Sequence, residues 1–468
     1  MHARIDSGCY DIGVLEAVKL TNGNCLNNTE LQSQVGLNVI PRQDHSISRA
    51  DISSNALKVL YRLKKAGYQA FLVGGGVRDL LVGLNPKDFD VVTNARPPEV
   101  RKLFRNCRLI GRRFKLAHVH FGREVIEVVT FRSSASGIKD ERKHSGKGRI
   151  IRDNVYGTID EDIWRRDFTI NALYYNVSDF SVWDYTTGLK DIENRVLRLI
   201  GDPKIRYRED PVRMLRAARF SAKLDFDVAK DSLAPINKLG ILLRDVPPAR
   251  LYDEVLKLFL AGHGAKSFDR LRQFNLLNYL FPHTASSLKL DHKGNISNFV
   301  REGLIETDKR VHNQKSVTPM FLYAMLLWHP VLQYSHKIQS EEKTSQIEAL
   351  LDACDEIVSS QQSYTSYPRR YSVPMKDILV MQLRFENRRG ARAHRLLNHR
   401  QFGAAYDFLV LRAKCGEVDQ ELADWWANVR TLAPRQQRKA FSLTNKRLYG
   451  RRSNLYQSNG GSNPSKSK

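Results

Sequence analysis

The chain has 468 residues, 75 Lys and Arg against 50 Asp and Glu, and a formal net charge of +25. Its 42% hydrophobic and 9% aromatic content suits a folded soluble protein of about two to four domains, and no window of about 18 apolar residues exists to span a membrane. The charge points to a polyanionic partner, nucleic acid before membrane, because the basic residues spread along the chain rather than along one amphipathic helix.

Residues 1–45 are polar and rich in Asn, Gln and Ser, and read as a poorly ordered extension; MHARIDSGCYDIG shows no secretory signal. Ser53 and Ser54 cap a helix with Leu57, Leu60, Tyr61 and Lys64 at helical spacing, ended by Gly67. Phe71–Val73 is an apolar strand, Gly74, Gly75 and Gly76 a turn open to close approach, and Val77–Leu81 a helix. Asp88-Phe89-Asp90 opens the next strand, with both carboxylates on one face and Phe89 toward the core.

Further on, Pro97–Phe104 is expected as a helix and Cys107–Ile110 as a strand. Phe114–Phe121 and Val125–Phe131 read as a strand pair turning at Gly122-Arg123, with Glu127 and Val129 on one face of the second strand. Ser133–Arg149 reads as a mobile basic loop, Ile159–Leu173 as a helix pair and Val182–Tyr185 as a strand. From Asp202 only helices are expected: Arg208–Leu224 with Pro211 in its first turn, then Leu251–Ala261, Phe268–Phe274, Pro319–Leu327 and Gln346–Ser359. Asp291–Asn298 reads as a linker, Met375–Leu432 as a last helical unit containing the basic ENRRGARAHRLLNHR, and the tail from Thr444 as disordered. The five cysteines (Cys9, Cys25, Cys107, Cys354, Cys415) form no CxxC or zinc spacing and are expected as reduced cytosolic thiols.

Two carboxylates about 7 Å apart along a strand, beside a glycine turn, suit a divalent metal holding phosphates. Joining a nucleoside triphosphate to a hydroxyl uses one cation to activate the hydroxyl and one to steady the leaving pyrophosphate. Asp88 and Asp90 would hold both, with the Gly74 and Gly75 N–H groups and Arg78 on the triphosphate. The triple glycine makes neither GxGxxG nor a P-loop. Glu127 is a third carboxylate by pattern; an edge Glu paired with an arginine is the equal alternative. His118 and His120, alternating on a strand with no partner at ligand spacing, read as packing.

LVGGGVRD, KDFD, RRDFTINALYYN and REDPVRMLRAARF, in this order over roughly residues 70–220, resemble the class II nucleotidyltransferases, and the chain to about residue 430 resembles the bacterial poly(A) polymerase branch. The resemblance implies an α+β fold: a nucleotidyltransferase head with a small mixed sheet, then all-α neck, body and C-terminal RNA-binding units. The expected division is 1–45 extension, 46–200 catalytic head, 201–290 neck for nucleobase and RNA, 291–435 basic body and C-terminal unit, and 436–468 basic tail.

Residue by residue, the resemblance implies that Asp88 and Asp90 bind metal and that Asp167 joins them as catalytic. It also implies that Gly74, Gly75 and Arg78 bind the triphosphate, that Arg166 and Asp167 contact the nucleotide, and that Asp210, Arg213, Arg216 and Arg219 read the base and hold phosphates. A helical turn separates Asp210 from Arg213, so the two should meet, the carboxylate accepting from adenine N6 and the guanidinium donating to N1. The activity implied is template-independent AMP transfer from ATP to RNA 3′ ends, mRNA and other bacterial RNAs, with Mg2+ (Mn2+ as the alternative), in the cytoplasm and as a monomer. RNA-decay machinery and an Sm-like RNA chaperone are the implied partners. A CCA-adding tRNA nucleotidyltransferase shares every head motif and is the nearest alternative; a non-catalytic RNA-binding protein on this scaffold is the other. The basic runs Lys139–Arg149, Arg388–Arg400 and Lys446–Arg452 suit an RNA backbone.

Overall fold

The computed structural model describes residues 36–111, 115–133, 142–144, 150–153 and 155–443. Most of the expected N-terminal extension, much of the 133–149 loop with most of its basic run, and the tail from Thr444 lie outside the described residues.

An eight-stranded mixed sheet forms the head, in the order β1 (Asn38–Ile40), β10 (Val182–Asp184), β9 (Leu173–Tyr175), β2 (Ala70–Val73), β3 (Asp90–Thr93), β6 (Glu124–Thr130), β5 (Leu116–Phe121) and β4 (Cys107–Ile110). All neighbours are antiparallel except β3 and β6, which run parallel with Asp90 opposite Glu127. AFLV in β2 is buried at every position, as a central strand covered on both faces must be. Leu72, Val91, Ile126 and Val128 pack on one face under the helix Ser54–Lys65. Phe71, Val73, Val92 and Tyr174 pack on the other, under Ile159, Ile163 and Tyr185. Strand alternation therefore puts Asp90 and Glu127 on the second face, beside Val92 and Val129.

Several expectations are corrected here. The sheet is larger than the small one expected, because Asn38–Ile40, assigned to the extension, is its edge strand. Asp88 precedes β3 rather than opening it, although Phe89 does turn into the core. Ile159–Leu173 is not a helix pair: a one-turn helix, Ile159–Ile163, leads into an irregular RRDF segment, a 3-10 turn at Thr169–Asn171, and β9. Strands do not stop at Asp202, since Asp227–Val228 pairs in parallel with Val196–Leu197. A short strand in the basic loop, β7 (Arg142–His144), pairs antiparallel with β8 (Ile150–Asp153) just beyond it.

The expected Arg208–Leu224 helix is two helices, Pro203–Glu209 and Val212–Leu224, broken at an extended Asp210 (φ −146°, ψ 95°). The second, here the neck helix, packs against Pro248–Phe259 and Gly264–Gln273. Their core runs on without interruption into the body, whose 24-residue helix Pro319–Glu342 replaces the short one expected. Helix Asn295–His312 takes up the second half of the expected linker. The last unit has its own core around Phe385, Phe402, Trp426 and Phe441. Glu417 ties it to the body, accepting from Trp328 Nε1 at 3.0 Å and Arg412 Nε at 3.2 Å and meeting His329 Nε2 at 2.9 Å.

Gly188 shows how tightly the head is packed behind the RRDF segment. A Cβ there would lie 2.6 Å from the Thr169 carbonyl and 2.9 Å from Leu173 Cδ2. Gly188→Ala should therefore cost roughly 1–3 kcal/mol by overpacking. Gly403→Ala, with nothing within 4 Å and an ordinary φ, should be neutral or mildly stabilising. Chemical denaturation of the two variants checks the contrast; equal midpoints would contradict it.

Candidate active site

The glycine turn, the strand carboxylates and the RRDF segment meet at one point. Gly74 has φ +74°, a left-handed conformation that favours glycine. A Cβ on it would come 3.8 Å from Asp90 Oδ2 and 3.9 Å from Arg166 Nη1. At Gly76 a Cβ would sit 3.4 Å from both the Asp88 carbonyl and the Phe89 ring. Small residues here let the Asp88–Asp90 segment lie directly on the turn.

Asp90 is half-buried and Asp88 exposed. Burial first, and the neighbouring Glu127 second, push the Asp90 carboxyl up to about 6; Arg166 pulls the other way and Asp88 adds to the rise. Three carboxylates repelling one another on one sheet end are a donor set that suits a hard divalent cation. Among the described residues no three acidic, His or Cys side chains already converge at ligand distance. The carboxylates form an open face rather than a closed cage, which fits a cation whose remaining ligands are substrate oxygens. Opposite Glu127 on β5 stands His118, its Nε2 3.4 Å from Glu127 Oε2. His118 thus has the acidic partner that the sequence reading did not find. Counting outward from the Gly122-Arg123 turn pairs residue 118 with 127, so the signal was present.

Asp167 lies in a different setting. Arg216 Nε donates to Oδ2 at 2.7 Å and Nη2 contacts the same oxygen; Asn171 Nδ2 (3.1 Å) and the Phe168 N–H (2.8 Å) donate to Oδ1. Burial pushes Asp167 up, but the Arg216 guanidinium and these donors outweigh it and hold the carboxyl well below the usual carboxylate range. Arg166 is held by Asp162 (2.8 Å) and by the Tyr174 hydroxyl (2.8 Å). Arg206, at the neck, donates to the Arg165 and Arg166 carbonyls at 3.0 and 2.6 Å and so clamps the segment from behind.

One expected contact, that of Asp210 with Arg213, is absent, and Arg78 stands buried rather than open. Arg78 is 2% exposed, with its guanidinium on Asp79 Oδ1 and on Asn171 Oδ1 (2.6 Å), so it braces the turn instead of facing an open pocket. Arg213 does not meet Asp210: it is buried, donating to the Arg206 carbonyl (2.7 Å) and Glu209 (3.1 Å). Because Asp210 is extended ahead of the neck helix, the expected helical spacing does not apply, and its carboxylate pairs instead with Arg250 at 2.8 Å. No local spacing could have shown that Arg250, forty residues on, would be the partner. Arg216 and Arg219 lie one turn apart, and the Arg219 Nε is buried with no hydrogen-bond partner.

Strand carboxylates beside a glycine turn, with a helical arm docked through Arg216 on the adjoining RRDF segment, suit nucleotidyl transfer, and nucleotidyltransferase is the class that fold and site define. Three family models match: "Poly A polymerase head domain" over residues 70–198, "Probable RNA and SrmB-binding site of polymerase A" over 225–288, and "Polymerase A arginine-rich C-terminus" over 342–455. Poly(A) polymerase I of Salmonella typhimurium is 48% identical over 407 residues, 86% of this chain and 88% of that protein. The CCA-adding enzyme of Lactobacillus helveticus is 36% identical over 47% of this chain and 53% of its own length. Among solved structures, the Bacillus stearothermophilus CCA-adding enzyme in complex with CTP shares the fold, with a TM-score of 0.55 at 22% identity, covering 80% of this chain and 82% of that one. The chain belongs to the poly(A) polymerase I family.

The raised Asp90 gives a signed prediction for the metal-free protein. An unfolded aspartate titrates near ~3.9. Between that pH and about 6 the folded state holds a proton that the unfolded state lacks, so stability falls as pH rises through this window, by on the order of 2 kcal/mol. Asp90→Asn removes the effect. In chelator, wild type should lose stability relative to Asp90→Asn between pH 4.5 and 7.5 (about those values), read from denaturant midpoints; parallel curves would contradict the assignment.

Proposed function

We propose that this chain is a template-independent RNA adenylyltransferase that moves AMP from ATP to an RNA 3′-hydroxyl and releases pyrophosphate. The observation that carries this reading is the open face of Asp88, Asp90 and Glu127 against the Gly74 turn, in a chain whose family likeness runs through head, neck and arginine-rich C-terminus alike. In the step, the RNA 3′-oxygen bonds to the α-phosphorus, the bond from that phosphorus to the bridging oxygen breaks, and the hydroxyl proton leaves to solvent.

Asp88 and Asp90 would hold the divalent cations, with Glu127 as the third carboxylate, and Mg2+ is the ion we assign, Mn2+ serving in its place. Bound there, such a cation lowers the pKa of the attacking hydroxyl and offsets charge on the leaving pyrophosphate. Asp167, already spent on Arg216, orients the nucleotide at its ribose rather than binding metal. Arg166 and Arg216 set that contact, and Gly74 and Gly75 admit the triphosphate. Asp210 accepts from adenine N6 while Arg250 and Arg213 keep the neck in shape around it.

The substrates are 3′ ends of mRNA and other bacterial RNAs. The arginine-rich unit, where Arg388, Arg389, Arg392 and Arg395 crowd one short stretch, supports binding of the RNA backbone. We place the protein in the cytoplasm as a monomer, its tails read by RNA-decay machinery and an Sm-like RNA chaperone. No helix among the described residues is long and apolar enough to cross a membrane.

Incubating the chain with Mg2+ and unstructured RNA should give long tails from ATP alone and little from CTP. Addition of a single CCA to tRNA-like ends would instead show the CCA-adding activity. Asp210→Asn should keep AMP transfer but cut the preference for ATP over other nucleotides roughly 10- to 100-fold, as expected when one base-edge hydrogen bond is spoiled. Unchanged preference would remove Asp210 from base selection.

A further inference from the structure

Basic side chains gather where the neck helix meets the head, and most of them already have partners. The neck helix carries Arg216, Arg219 and Lys223 in one stripe. Arg216 is paired with Asp167, and Lys223 Nζ with Asp79 Oδ2 at 2.7 Å. Around the single ring of Phe220 stand three guanidiniums, Arg219 at 4.4 Å, Arg78 at 4.9 Å and Arg216 at 5.2 Å from its centroid. The Arg219 Nε is buried and lacks a hydrogen-bond partner.

His263 stands immediately before the helix Gly264–Gln273, which packs along the neck helix. That helix start is fixed by Asp308, which accepts the Gly264 and Ala265 N–H groups at 2.7 and 3.1 Å. The left-handed Gly262 (φ +91°) lies against the His312 ring. A hydrogen bond to the Ala261 backbone holds the His263 ring, and its Nε2 is buried with no hydrogen-bond partner among the described residues. After burial, the influences on the ring are the charges of Arg219 and Lys223 from the neck and of Lys87 from the head, next to Asp88. Together they press the imidazole down to about 4 and keep it neutral; no carboxylate is among the causes. Asp308 is occupied by backbone donors, and His312 Nδ1 lies 2.7 Å from the Asp308 carbonyl.

Arg219 is faced by the buried Glu254 and Lys223 is paired with Asp79, yet among the described residues Arg219 Nε and His263 Nε2 stay buried without hydrogen-bond partners beside Lys87, and an oxyanion would satisfy both. We propose that His263 is a polyphosphate-binding residue, completing with Arg219 and Lys87 a pocket for the terminal phosphates of ATP and for the pyrophosphate that leaves. This rests on the adenylyl-transfer reading above. Entry of the anion cancels the cationic field, so the ring takes one proton from solvent and Nε2–H donates to a phosphate oxygen. No covalent bond to phosphorus changes in this step.

Calorimetric titration of the full chain with magnesium pyrophosphate, in two buffers of different ionisation enthalpy, tests it. Wild type should take up protons on binding, beyond any uptake by His263→Gln. His263→Leu should bind pyrophosphate roughly tenfold more weakly, with the KM for ATP rising in step and kcat changing less, as loss of a charge-assisted hydrogen bond predicts. His263→Gln keeps an N–H donor and should recover part of the affinity, but none of the proton uptake. Thermal melting and RNA binding should match wild type for both; should the leucine variant fail to fold, the glutamine variant's proton count still decides. Proton uptake unchanged in His263→Gln would overturn the proposal. If wild type itself neither binds pyrophosphate nor transfers AMP, the adenylyl-transfer reading fails instead.

Discussion

The ion pair between Asp167 and Arg216 is the contact on which the rest depends. It joins an irregular head segment to a helix of the neck, with Asp167 largely withdrawn from water and the Arg216 side chain 33% exposed. Removing one partner leaves the other charge uncompensated and costs on the order of 2–3 kcal/mol, less than for a fully buried pair because Arg216 is partly open to water. Around it run Arg206 onto the Arg165 and Arg166 carbonyls, and Lys223 onto Asp79, which also holds Arg78. The neck is thereby tied to the head, with Arg219 in electrostatic reach of Asp167 and His263 in reach of Lys87 beside Asp88. The charges that would bind a nucleotide also hold the two parts together.

That arrangement separates the carboxylates by task. Among the described residues Asp90 has no cation in hydrogen-bonding contact, and burial and Glu127 push it up against only a partial opposing pull from Arg166. Asp167 has its counter-charge already. Residues of one type, in one site, are thus prepared for opposite work: one set to receive a metal, the other to hold an arginine and present a ribose contact. The parallel pairing of β3 with β6 accounts for the first set, since it places Asp90 and Glu127 side by side on one face.

Much of this was readable in the chain. GGG before DFD, the alternation of VIEVVTF and the turn at Gly122-Arg123 follow strand and turn chemistry that acts over a few residues, and the sheet edge to edge obeys it. What could not be read depends on distant partners or on breaks in local pattern. The stretch Ile159–Leu173 has helical composition, but the ties of Asp167 to Arg216 and of Arg166 to Tyr174 hold RRDF out of a helix. Asp210 and Arg213 have helical spacing, yet the extended Asp210 sends one to Arg250 and the other to Glu209. Arg78 reads as a phosphate ligand beside glycines, and only the fold shows Asp79 and Asn171 enclosing it.

The division of carboxylates is the central claim, and metal position tests it most directly. Crystals grown with Mn2+ and a non-hydrolysable ATP analogue would show the ion by anomalous scattering. The account predicts peaks coordinated by Asp88 and Asp90, with Glu127 alongside, and an intact Asp167–Arg216 pair. A peak coordinated by Asp167, with Arg216 displaced, would contradict it.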